Sequence, residues 1–256
     1  MGSLTAKAFI MNEKETLAGE IIRVKSTTIA SATEVMEKAL ASANLRFSDL
    51  DYCCSTGYGR YEIPFAQMNI SEISCHGLGA FCTDSSIRTI IDIGGQDCKI
   101  ILIDANGNVR DFVMNDKCAA GTGRSLEILA RTIGVELEEL GRLAVKSKKP
   151  INITNKCSIF MELEVLNHLY ARKKLKHIAC GIADAVAKRV ASLAKAIDTE
   201  NNICITGGVS KNPGVVRQLA YHMNSSFKSL PVDPQIIGAL GAAWYAMRAL
   251  QAESKL

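Results

Sequence analysis

Three stretches of this 256-residue chain carry residue types that could do chemistry. In Asp92-Ile-Gly-Gly-Gln-Asp97, two carboxylates and an amide stand beside two glycines. Bare glycine lets backbone N–H groups approach phosphate oxygens, and a carboxylate can hold Mg²⁺ or its waters. Asp92 and Asp97 suit that metal-side role, and Gln96 suits the orientation of a water in phosphoryl transfer. Thr206-Gly-Gly-Val-Ser-Lys-Asn212 is a second glycine turn, suited to an adenosine and its phosphates. Either turn alone is weak, because a lone D-x-G-G is usually an ordinary hairpin. The third stretch is Cys118-Ala-Ala-Gly-Thr-Gly123, where Gly121, Thr122 and Gly123 lead into a helix.

Cys118 shares its surroundings with Cys157. Each follows a lysine, in Asn115-Asp-Lys-Cys118 and Thr154-Asn-Lys-Cys157, and each is placed at a helix start. A helix start and a neighbouring cation both favour thiolate, the form that binds metal. An iron–sulfur cube requires four thiolates, so two matched cysteines per chain imply a two-fold dimer. Either cysteine taken singly would be read as a structural cap. Zinc is disfavoured, since no C-x₂-C occurs.

The elements that must hold these residues follow from periodicity. Thr89–Ile93 and Cys98–Ile103 are apolar runs flanking the acidic turn, and Asn106-Gly107 closes a second hairpin into Val109–Met114. Gly2, Ser3, Thr5 and Lys7 could form a phosphate-touching turn, with Ala8–Met11 and Gly19–Val24 as strands. Ser31–Asn44 reads as a helix, Leu50–Ser55 as a short strand and Ser71–Cys82 as a helix carrying His76, a packed or capping residue. Helices follow over Arg124–Ile133, Leu137–Lys146, Cys157–Arg172 and Lys176–Ile197. A strand at Asn202–Ile205 precedes a helix over Gly214–Met223, and Phe227–Pro231 reads as a further strand. The last helix, Ile236–Glu253, opens on Gly238-Ala-Leu-Gly-Ala-Ala243, small residues that permit close helix or ligand approach. Strands then helices, twice over, predict two similar α/β lobes around a nucleotide cleft, residues 1–84 and 85–234, with 235–256 returning to brace the first.

Composition narrows the classes. Net charge is only +4, and no basic run interleaves with aromatics, so no nucleic-acid partner is expected. No apolar run reaches the ~18 residues of a membrane span, and no signal-peptide pattern opens the chain, so the expectation is a soluble cytoplasmic protein. Nine cysteines, an odd number, several within apolar segments, argue for a reduced compartment rather than a disulfide framework.

Taken together, the motifs resemble the BadF/BadG/BcrA/BcrD ATPase family, the ATP-dependent activators (component A) of 2-hydroxyacyl-CoA dehydratases and the ATPase subunits of benzoyl-CoA reductase. The stretches that carry the resemblance are Thr56-Gly-Tyr-Gly-Arg60, Ser71–His76, Asp92–Asp97, Met114–Arg124, Cys157 with Glu162 and Glu164, Thr206-Gly-Gly-Val209 and Gly238–Ala243. They span nearly the whole chain. The resemblance implies the actin/Hsp70/sugar-kinase fold with two ribonuclease-H-like lobes. It implies ATP/ADP and Mg²⁺ in the cleft, and a homodimer (or pseudo-dimer of related subunits) sharing one [4Fe-4S] cluster on Cys118 and Cys157. It also implies ferredoxin or flavodoxin as electron donor and an acyl-CoA dehydratase or reductase as acceptor. The family begins with a strand and an Asp-x-Gly-Ser-Thr turn; here the second half of that turn stands as Gly2-Ser-Leu-Thr-Ala-Lys7, without the strand and its metal-side aspartate, so weak or absent ATPase activity and a less stable first lobe are expected of this chain. The alternatives are a metabolite kinase of the same fold, or a non-catalytic paralogue that keeps nucleotide or cluster without turnover.

Overall fold

The computed structural model describes residues 1–115, 118 and 120–253. The opening elements are β1 (Thr5–Met11), β2 (Thr16–Arg23), α1 (Thr28–Ala43), β3 (Cys54–Ser55), β4 (Met68–Asn69) and α2 (Glu72–Thr83). There follow β5 (Thr89–Ile93), β6 (Cys98–Ile103), β7 (Val109–Asn115), α3 (Gly123–Thr132), α4 (Leu137–Val145) and α5 (Ser158–Tyr170). The remaining elements are α6 (Leu175–Ala194), β8 (Ile203–Thr206), α7 (Pro213–Met223), β9 (Phe227–Lys228) and α8 (Ile237–Glu253). These form two compact units: Met1–Arg88 with Leu102–Arg110 and Leu230–Leu256, and Thr89–Ile101 with Asp111–Ser229.

In the first unit β1 and β2 pair antiparallel, and strict alternation along β1 sends Ala6, Ala8 and Ile10 inward. They meet Val35, Ala39 and Leu40 of α1, whose first turn is capped by Thr27 accepting the Ala30 N–H. The strand expected over Leu50–Ser55 shrinks to Cys54–Ser55, which pairs in parallel with Met68–Asn69. The reason is local: Leu50 N–H closes a turn onto Phe47 O, and Cys53 N–H donates to the Gln67 side chain at 2.8 Å instead of to a ladder. Helices α2 and α8 cross through glycine. A methyl group on Gly79 would collide with Ile237 O, and one on Gly241 with Cys75 O.

The second unit is built on a five-stranded sheet in the order β7-β6-β5-β8-β9. A four-residue connection makes neighbouring β5 and β6 antiparallel, whereas β5–β8 and β8–β9 pair in parallel. Every residue of β5, β6 and β8 is buried, as a sheet covered on both faces demands. The cover includes α6, with Ile178, Ile182, Val186 and Val190 in the core beside Ile91, Ile93 and Ile100. Each such side chain contributes about 1.5–3 kcal/mol of burial. The result is a stiff platform with turns at its edge.

Candidate functional site

The parallel register sets Asp92 on β5 opposite Thr206 on β8, and the Thr206 hydroxyl donates to Asp92 Oδ1 at 3.1 Å. Gly94 N–H closes the acidic turn onto Asp97 O at 3.0 Å, leaving Gln96 exposed at the tip. Two residues beyond Asp97, Lys99 lies on the same face of the chain because strand side chains alternate. Its ammonium, 2% exposed, stands 2.7 Å from Asp97 Oδ2 and 3.7 Å from Asp92 Oδ2. Sequence reasoning passed over Lys99 inside an apolar run; the D-x-K spacing was the signal that could have found it. Asp92 is thus held inside, while Asp97 keeps 32% of its side chain exposed to solvent.

The second glycine turn is shaped for this neighbour. Gly207 takes φ +83°, and a methyl there would collide with Ile93 O and come within 2.8 Å of Asp92 Oδ1. Gly208 and Lys211 are exposed on the turn that follows, which Ser210 closes by donating to Gly207 O at 2.6 Å. Asn212 serves the fold: its Oδ1 accepts the Val215 N–H at 3.1 Å and caps α7, with Pro213 as the first helical residue.

The third turn meets the first. Gly121 takes φ +93° beside the Arg189 side chain, and Thr122 is fully buried. Gly123 N–H donates to Gly94 O at 2.9 Å and Arg124 N–H to Gly95 O at 2.8 Å. The first amides of α3 are therefore satisfied by the acidic turn itself, and Val209 closes the same space, its Cγ2 3.5 Å from where a methyl on Gly123 would stand. Three glycine turns far apart in sequence converge at one end of the second unit's sheet.

Gly2, Ser3, Thr5 and Lys7 belong to the first unit. There Gly2 N–H donates to Thr5 O at 3.1 Å, and Lys7 Nζ reaches the same carbonyl at 3.4 Å. Gly238, at the start of α8, faces the His76 ring, which a methyl would approach to 2.8 Å.

Cys118 and Cys157 come together in the second unit. Cys118 Sγ lies 3.9 Å from Lys156 O, the carbonyl just before Cys157, and Asn115 Nδ2 steadies the Cys118 carbonyl at 3.0 Å. Cys157 is the N-cap residue of α5, yet its side chain makes no capping bond. Both thiols are partly exposed. Lys156 is exposed beside Cys157, whereas Lys117, the expected neighbour of Cys118, lies outside the described residues. Glu164 Oε2 accepts the Thr154 N–H at 2.7 Å and fixes the approach to Cys157. Helix α5 buries Met161 and Val165 but leaves Ile159, Phe160, Leu163 and Tyr170 exposed at 67%, 61%, 51% and 83%. Among the described residues no group of three or more His, Cys, Asp or Glu is disposed to hold a metal. The donor set here is two thiols per chain, half of what a cube needs.

Other cysteines differ. Cys75, Cys98, Cys180 and Cys204 are buried, and burial pushes the thiols of Cys53 and Cys54 up to about 11 and about 12. No helix among the described residues is long and apolar enough to cross a membrane.

Comparison with known proteins places this geometry. The profile of the BadF/BadG/BcrA/BcrD ATPase family matches residues 1–246. The chain is 41% identical over 246 residues to the 2-hydroxyisocaproyl-CoA dehydratase activator of Clostridioides difficile, covering 96% of this chain and 92% of that one. It is 40% identical over 252 residues to the activator of lactoyl-CoA dehydratase of Anaerotignum propionicum, covering 98% and 96%. A solved structure of the 2-hydroxyisocaproyl-CoA dehydratase activator from Clostridium difficile with bound ADPNP superposes with a TM-score of 0.94 at 40% identity, over 100% of this chain and 95% of that one. A ROK hexokinase from Thermus thermophilus, 13% identical with a TM-score of 0.52 over 98% and 97%, shares the fold alone. The architecture is of the actin/Hsp70/sugar-kinase type, as the motifs implied.

Proposed function

The chain belongs to the BadF/BadG/BcrA/BcrD ATPase family, and from that premise we propose that it uses ATP to pass single electrons of low potential to a 2-hydroxyacyl-CoA dehydratase. The observation that carries this reading is the pairing of Cys118 and Cys157 beside an exposed apolar helix, in the same unit as the three glycine turns. Relatives named as dehydratase activators support the choice of partner over a benzoyl-CoA reductase.

In this reading Gly94, Gly95, Gly207 and Gly208 let backbone approach the phosphates, the partly exposed Asp97 carboxylate holds Mg²⁺ or its waters, and Asp92 anchors the turn through Thr206. Gln96, at the exposed tip, orients the attacking water. Cys118 and Cys157 are the two ligands each subunit gives to one [4Fe-4S] cluster, and the Ile159, Phe160, Leu163 and Tyr170 stripe packs against its own copy in a homodimer. When bound, the cluster supplies a one-electron store filled by ferredoxin or flavodoxin. The uncapped start of α5 leaves backbone N–H groups to stabilise thiolate charge at Cys157. A difference in affinity for ATP between two arrangements of the chain is the energy available to the electron.

The test is anaerobic purification of Cys118→Ala and Cys157→Ala beside the wild type. The wild type should be brown and dimeric, and each variant should lose its iron and visible absorbance while keeping its fold. Unchanged iron content in either variant would remove the ligand assignment. With dithionite and ATP, the wild type should switch on a partner dehydratase, and neither variant should.

A further inference from the structure

Helix α3 is bonded at both ends to the two halves of the proposed machinery. At its start, Gly123 and Arg124 donate to the carbonyls of Gly94 and Gly95 in the acidic turn, at 2.9 and 2.8 Å. At its last residue, the Thr132 hydroxyl lies 2.9 Å from Glu162 Oε1 of α5, sharing its proton with Ile128 O at 3.0 Å. The 10 residues between form a rod of about 15 Å. Its buried side chains, Leu126, Leu129 and Ala130, sit in the same core as Met161 and Val165 of α5. Glu162 is on the second turn of the helix that Cys157 opens.

We infer that Thr132 and Glu162 are positioning residues that make α5 respond to the state of the acidic turn. A turn that shifts when its phosphate contacts change must either carry the start of α3 with it or break two short backbone hydrogen bonds. A packed helix does not shorten, so the shift arrives at Thr132, and the bond to Glu162 hands it to the helix that presents Cys157. Glu164, two residues on, holds the Thr154–Cys157 approach to the same helix, so sulfur and helix travel together. The inference rests on the reading of α5 as the cluster-bearing helix only for its purpose, since the bonds themselves need no metal.

The experiment follows hydrogen exchange of the Ser158–Tyr170 amides in the full chain with ADPNP and with ADP, alongside nucleotide affinity and iron content. In the wild type, exchange should differ between the two nucleotides. In Thr132→Val and Glu162→Ala that difference should shrink by about tenfold, the factor carried by one hydrogen bond to a charged group at 1.4 kcal/mol per decade. ADPNP affinity and iron content should stay at wild-type values, and Thr132→Ser, which keeps the hydroxyl, should restore the response. An α5 response that survives in both Thr132→Val and Glu162→Ala overturns the inference, as does a wild type whose α5 ignores the nucleotide. Iron content in the same samples judges the cluster reading separately.

Discussion

Replacing Lys99 by methionine removes the ammonium that sits between Asp92 and Asp97 while keeping the length of the side chain. Lys99 is 2% exposed and within 2.7 and 3.7 Å of the two carboxylates, so its loss leaves net charge −2 where there was −1. Breaking a buried pair from one side costs about 3–5 kcal/mol. Asp97, a third exposed, regains water, and Asp92 keeps the Thr206 hydroxyl, so the lower end applies. At about 3 kcal/mol and about 2–4 °C per kcal/mol in a chain of this size, Tm should fall by about 6–12 °C. Thermal and urea unfolding followed by circular dichroism measure this directly. Adding Asp97→Asn should recover part of the loss, with a coupling of at least about 1 kcal/mol. If Lys99→Met unfolds within about 1 kcal/mol of wild type, or the double variant is simply additive, Lys99 does not hold these carboxylates together.

Gly207→Ala forces a left-handed φ on a residue with a side chain and drives its methyl into Ile93 O; it should cost about 3 kcal/mol and abolish ADPNP binding in calorimetry. Burial lifts the Cys53 and Cys54 thiols above the ordinary 9.0, so the folded chain keeps protons that the unfolded chain has lost. Their contribution to stability should be whole below pH 9 and disappear as pH rises through about 11 to about 12. Iodoacetamide at pH 8.5 should accordingly label both far more slowly in the native protein than in urea, and equal rates would contradict the burial argument.

Much of the second unit can be read from sequence because its signals are local. Thr89–Ile93 and Cys98–Ile103 are apolar runs with glycine between them, and the strands have those bounds. Asn-Gly and Asn-Pro punctuate where the chain turns at Asn106 and Asn212. What sequence hides is partnership at a distance. Nothing near Lys99 in sequence says that Asp92, across the turn and locked to Thr206, would share its charge. Nothing near Asn212 announces that its Oδ1 would accept the Val215 N–H and cap α7. Leu50–Ser55 misled for the same reason: its β-forming composition was overruled when Gln67 took the Cys53 amide. The two cysteines were visible by matching context, but that Cys118 would sit against Lys156 needed the fold.

The crossing of α2 and α8 bears on how the protein is made. Because Gly79 and Gly241 bring the two backbones together, the face of α2 carrying Cys75 and Gly79 is complete only once α8 exists. A ribosome releases residues 1–88 long before 237–253, and the whole second unit emerges in between. The unit that is begun first must therefore wait with an open seam until residues 237–253 have emerged, and α8 is the stitch that closes it.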